Sequence, residues 1–181
     1  MKKAVLLIMA AAILGSCMKQ ALQTTYDKQT TTIESFVAAQ MKADETATLT
    51  RTGGAYRVTL KDTLDPTRDS LGWNGSVTMD YALYILSGSS VSSSNLVSTN
   101  RKSVAEAAGW NLSDQSQFQP VTIKMTDDIL EGLKMGLYGV QPQDDAYILF
   151  TGKYGYGNHE QGTIPAKSAL VYHVWIDSIE Q

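Results

Sequence analysis

The side chains that most often carry covalent or metal chemistry are scarce in this chain, which holds two histidines, His159 and His173, and one cysteine, Cys17. A nucleophilic hydrolase needs a hydroxyl or thiol beside a base. The serine-rich run from Ser87 to Asn95 has no histidine near it in sequence and reads as a solvated loop. His159 stands between Asn158 and Glu160 in a Gly-rich segment and reads as an exposed loop side chain. His173 lies between Tyr172 and Val174, so strand alternation puts it on the opposite face from both. Two histidines without His-x-x-x-His spacing give little support for zinc. The carboxylate pairs Asp62/Asp65, Asp127-Asp128 and Asp144-Asp145 fall in a loop, at a helix start and at a strand start, where structural roles are expected. Gly152 to Gly157 is not followed by a helix or by the lysine that a phosphate loop needs, so nucleotide binding is set aside.

What remains is aromatic and aliphatic. Tyr81, Tyr154, Tyr156, Ile164, Tyr172 and Trp175 lie on or beside strand-like segments, where core packing is the plain expectation. No cofactor is expected. With 15 basic against 18 acidic side chains and a net charge of −3, nothing favours a nucleic-acid partner.

The elements that must position these residues follow from periodicity. Ile33, Phe36, Val37 and Met41 recur at helical spacing, with Thr30, Thr31 or Thr32 as the N-cap. Ala47–Thr52 and Ala55–Leu60 flank Gly53-Gly54 as a hairpin. Lys61 to Asn74 reads as a loop, and Gly75 to Leu86 as a long strand with Val77, Met79, Tyr81 and Leu83 on one face. Ser103 to Trp110 suggests a short helix, Pro120 to Met125 a strand, and Thr126 or Asp127 the cap of a second short helix. Ala146–Thr151 and Ser168–Ser178 are the last strands. Many strands with few short helices imply an α+β domain on a curved antiparallel sheet.

The chain opens with Lys2-Lys3, an apolar run from Ala4 to Leu14, then Gly15, Ser16 and Cys17. This is the pattern of a secretory signal peptide, and the run falls short of the ~20 residues a spanning helix requires. Leu14-Gly15-Ser16-Cys17 resembles the lipobox of bacterial lipoproteins, which implies an acylated Cys17 and a protein held at the cell envelope, with the outer membrane as the expected site. The organisation expected is a signal peptide over 1–16, a lipidated cysteine with polar tether and helix over 17–45, and a folded domain over 46–181.

Several stretches together resemble the FKBP family of peptidyl-prolyl isomerases: Gly75-Ser76-Val77-Thr78-Met79-Asp80-Tyr81, the Glu131-Gly132-Leu133 turn, Tyr154-Gly155-Tyr156-Gly157, Ile164-Pro165 and the closing strand. The resemblance implies an FKBP-like sheet packed on a short helix, with an extra N-terminal helix. It implies a proline-binding pocket with Tyr81 and Tyr156 as the catalytic side chains and Leu96, Ile129, Ile164 and Tyr172 as further walls. This chain departs from the family pattern at several of them. Leu96-Val97-Ser98 replaces a Phe-Asp-Ser motif, Ile129 replaces the tryptophan floor, Tyr172 a phenylalanine and Ala166 a second proline. The partner implied is a proline-containing polypeptide segment or a folded protein. The departures set weak isomerase activity beside a second reading, an inactive binding or assembly module on the same anchor, and a third, an unrelated β-rich lipoprotein.

Overall fold

A computed structural model describes the backbone of residues 2–60 and 68–181, with side chains from Lys19 onward in those ranges. The side chains of the expected signal peptide and of Cys17, and the loop residues 61–67 with Asp62, Asp65 and Pro66, lie outside the described residues. In chain order the elements are α1 (Lys2–Ala43), β1 (Thr48–Thr52), β2 (Ala55–Leu60), β3 (Ser76–Ile85), β4 (Leu96–Thr99), α2 (Lys102–Ala107), β5 (Val121–Lys124), α3 (Glu131–Leu137), β6 (Asp145–Phe150) and β7 (Leu170–Glu180). The strands form one curved antiparallel sheet in the order β1-β2-β6-β7-β3-β4, with β5 also paired to β3. The expected α+β class and short-helix packing are therefore present.

Alternation decides which face each strand residue occupies. Val77, Met79, Leu83, Ala146, Ile148, Phe150, Leu170, Tyr172, Val174 and Ile176 point inward and close over α3 in one core cluster. Ala82, Tyr84, Val58, Leu149 and Val171 point outward and are covered by Ile33, Phe36 and Val37 of α1 in a second. A sheet with both faces buried accounts for strands such as β6, which read as continuous apolar runs.

The short inner helix packs closely on the sheet. A Cβ on Gly132 would sit 2.2 Å from the Phe150 ring, and one on Gly136 would sit 2.1 Å from Ile148 Cγ2. Spaced i and i+4, the two glycines put the helix backbone against β6. Its C-terminal carbonyls are met by Arg57, buried on β2, whose Nη1 donates to Gly136 O at 3.0 Å and to Tyr138 O at 2.7 Å. A cation belongs at this end of a helix.

The helices differ from expectation in four respects. The helix placed at Thr126 or Asp127 begins at Glu131. Asp127 instead closes the turn after β5, its carboxylate accepting from Lys124 N at 3.1 Å while its own N–H donates to Lys124 O. The polar stretch from Met18 to Thr32, read as a tether, continues α1. Thr30, Thr31 and Thr32 do not cap it; their hydroxyls donate to the carbonyls of Tyr26, Asp27 and Lys28 four residues back, the local bond a threonine makes inside a helix. The buried stripe therefore runs backward from Ile33 to Tyr26, and Met41, expected within it, is exposed.

Candidate functional site

β3 changes partners along its length, and the site forms where it does so. Residues 76–79 pair with β5, and Ala82, Leu83 and Tyr84 pair with β4. Tyr81 lies in the gap. There its N–H donates to Asn100 Oδ1 at 2.6 Å, and its carbonyl accepts from Thr99 Oγ1 at 2.6 Å. The edge is thus closed by side chains, and Tyr81 projects inward from a fixed backbone.

In front of it opens an apolar cleft of about 520 Å³. Met79, Tyr81 and Leu83 of β3 form one wall, and Val121 and Ile123 of β5 extend it. Asp128, Ile129 and Leu130, with Leu133 of α3, form the opposite wall. Tyr156 enters from the β6–β7 loop, and Tyr172 of β7 lies at the base, where its ring centroid is 6.1 Å from those of Tyr81 and Phe150. Burial raises the Tyr172 phenol far above its ordinary pKa, with smaller contributions in the same direction from Tyr156 and Tyr81. The phenol therefore stays neutral throughout the physiological range, as a hydrogen-bonding group and not a base.

Of the six pocket residues expected from sequence, Tyr81, Ile129, Tyr156 and Tyr172 converge on this cleft. Two do not. Leu96 pairs with Tyr84 and packs with the outward cluster, because a β-bulge between Leu83 and Tyr84 shifts the register by one. Ser98 takes the place in the cleft. Ile164 is buried in the inner core without lining the cleft, and it closes a small bridge with Gln161 at the loop tip. Ile129 is only half-buried, so this wall is shallow.

Sequence reasoning also missed Asn100, Asp128 and Leu130. Asn100 follows a strand end and carries no local signal, since its role depends on where β5 stops. Leu130 and Leu133 were legible only as apolar residues near an assumed helix.

The remaining polar groups lie elsewhere. His173 is on the outer face, its Nε2 2.6 Å from Asp145 Oδ1, and Trp175 Nε1 donates to Asp145 Oδ2 at 2.9 Å. His159 is exposed in the loop. Among the described residues no cluster of His, Cys, Asp and Glu could hold a metal ion, and no helix is long and apolar enough to cross a membrane. What the cleft offers is an apolar enclosure with phenol hydroxyls at its walls and one carboxylate, Asp128, exposed on its lining.

Known proteins give this geometry a family. The chain resembles, at 16% identity and a TM-score of 0.56, the three FKBP domains of wheat FKBP73, over 74% of its own length and 50% of theirs. It therefore spans half of that relative. It resembles FkpA from Escherichia coli at 13% identity and a TM-score of 0.55, over 96% of this chain and 70% of that one. It resembles a peptidyl-prolyl cis-trans isomerase from Pseudomonas syringae pv. tomato at 15% identity and a TM-score of 0.57, over 88% and 96%. At these identities the likeness establishes the fold alone, and no curated protein sequence matches. The family model for FKBP-type peptidyl-prolyl cis-trans isomerases, however, matches residues 74–177, more than half of the chain and the whole of the cleft. By that match the chain belongs to the FKBP-type peptidyl-prolyl cis-trans isomerase family.

Proposed function

We propose that the cleft binds proline-containing segments of polypeptide chains and that the protein is a folding helper with weak peptidyl-prolyl isomerase activity, held at the cell envelope by acyl chains on Cys17. The observation that carries the reading is the convergence of Tyr81, Tyr156, Tyr172 and Ile129 on one apolar cleft. Isomerisation must overcome an amide-resonance barrier of about 18–20 kcal/mol, and it needs neither nucleophile nor proton transfer. An apolar enclosure that favours the twisted amide, with a hydrogen bond to its carbonyl, lowers that barrier by differential binding. Tyr156 is the donor assigned to this bond.

Weakness follows from what the walls lack. Ile129 gives a shallow wall, and β4 contributes the small hydroxyl of Ser98. The same features favour a second reading, in which the cleft captures a polypeptide without turning it over. A prolyl-isomerase assay on the mature chain beside Tyr156→Phe separates them. A rate above the uncatalysed one that falls in the variant supports catalysis; the uncatalysed rate in both, with retained peptide binding, leaves the binding module. Anchoring is proposed on the Leu14-Gly15-Ser16-Cys17 sequence. The mass of the mature N-terminus tests it, and an unmodified Cys17 would refute it.

A further inference from the structure

We infer that Gln29 of α1 is a positioning residue for the cleft, gripping both ends of the loop that carries Tyr156. Helix α1 lies outside the matched family region, on the face of the sheet opposite the cleft. Past the end of the sheet, however, its half-buried Gln29 reaches the β6–β7 loop. There Oε1 accepts from Gly152 N at 2.9 Å and Nε2 donates to Lys167 O at 2.5 Å. Because the Gly152 N–H can only donate and the Lys167 carbonyl can only accept, chemistry fixes the orientation of the amide. A hydrocarbon side chain offers neither bond, and a carboxylate offers only acceptors.

The two gripped groups are the ends of one closed loop. Gly152 approaches Lys167 so closely that a Cβ on it would lie 2.6 Å from the Lys167 carbonyl. Inside the loop, Gly155 N and Gly157 N both donate to Gly152 O, and Lys167 N donates to Gly157 O. Tyr156 is therefore flanked by two glycines whose amides are bonded to the very residue that Gln29 holds. Displacing Gly152 displaces the Tyr156 backbone. In this way an element on the outer face sets the geometry of the inner one, and the helix becomes part of the site without touching its ligand.

The link to peptide binding rests on the proposed function, but the grip itself does not, and the test keeps them apart. Gln29→Met preserves side-chain length and removes both bonds. Amide exchange at Gly152, Gly157 and Lys167 is expected to quicken about tenfold, the scale of one or two lost hydrogen bonds, while β6 and β7 amides keep their rates. Affinity for an Ala-Leu-Pro-Phe peptide is expected to weaken severalfold, with the thermal midpoint little changed. Gln29→Glu, which keeps the acceptor for the Gly152 N–H and loses the donor for the Lys167 carbonyl, should restore part of the protection at Gly152. Unchanged exchange at these amides, or equal quickening across the sheet, overturns the inference. So does a loosened loop with unaltered peptide affinity. If the wild-type chain binds no such peptide, the proline-binding reading fails while the exchange measurement still decides the role of Gln29.

Discussion

Asn100 stands in for a strand opposite Tyr81. Its Oδ1 accepts from Tyr81 N at 2.6 Å, and its Nδ2 donates to Met79 O at 3.3 Å and to Gln119 O at 2.9 Å. One buried amide thereby bridges the interval between β4 and β5 and bonds three backbone groups there.

Removing that amide should therefore cost more than an ordinary hydrogen bond. Asn100→Ala leaves buried backbone groups without partners, a penalty of about 1–3 kcal/mol for each group that water cannot reach. A stability loss of about 2–4 kcal/mol in urea unfolding is expected on that basis, together with weaker peptide binding because Tyr81 loses its backbone support. A loss below about 0.5 kcal/mol, the range of ordinary surface changes, would mean that water replaces the amide.

Gly136 yields a prediction opposite to helix propensity. In an exposed helix Gly→Ala gains about 1 kcal/mol. Here the added methyl meets Ile148 Cγ2 at 2.1 Å, and Ile148 is fully buried and branched, so it has no empty space to move into. Overpacking of this kind costs about 1–3 kcal/mol. Gly136→Ala is therefore expected to lower the unfolding free energy, as measured by chemical denaturation. An increase would show that α3 can lift from β6.

These residues also mark what could be read in the sequence. The inward alternation of Val77, Met79, Tyr81 and Leu83 was legible because a period of two survives in a strand with one specified face. The outward position of His173 followed from the same rule. Leu96 was misplaced because a single bulge between Leu83 and Tyr84 reverses which side chain faces the cleft, and a bulge leaves no trace in composition. The helical stretch before Ile33 was read as a tether, since its Thr and Gln residues are polar and its packing surface consists of Tyr26 and Gln29 at sparse intervals. The grip of Gln29 on Gly152 and Lys167 spans 123 and 138 residues, and no local pattern encodes such a contact.

Ile129 offers a gain-of-function test of the cleft. It is half-buried on the wall opposite Met79 and Tyr81 and borders an open space of about 520 Å³. An indole there would enlarge the apolar contact with a proline ring and exclude water from the twisted amide. Ile129→Trp is expected to raise kcat/KM for a proline peptide by about tenfold, equivalent to roughly 1.4 kcal/mol of extra transition-state binding. A rate at or below wild type, with the fold intact by circular dichroism, would place the limit on activity at another wall.

The phenols predict how stability responds to alkali. Burial is the main cause that pushes Tyr147 up to about 12 and raises Tyr172 further, with Asp145 and Tyr84 adding to the first and Tyr156 and Tyr81 to the second. In the unfolded chain a tyrosine ionises near about pH 10. Below that pH both states hold the proton and the stabilisation is complete. Above it the unfolded state binds fewer protons than the folded one, so the unfolding free energy falls as pH rises toward the folded-state values. For Tyr172 the limiting slope is about 1.4 kcal/mol per pH unit. Urea midpoints should hardly change from pH 7 to 9 on account of these groups and should drop steeply from pH 10 to 12. Tyr172→Phe removes an ionisable group from the base of the cleft, so its midpoint should match wild type at pH 7 and fall less steeply above pH 10. Equal alkaline slopes in the two chains would mean that water reaches the Tyr172 hydroxyl through the cleft and lets it ionise in place.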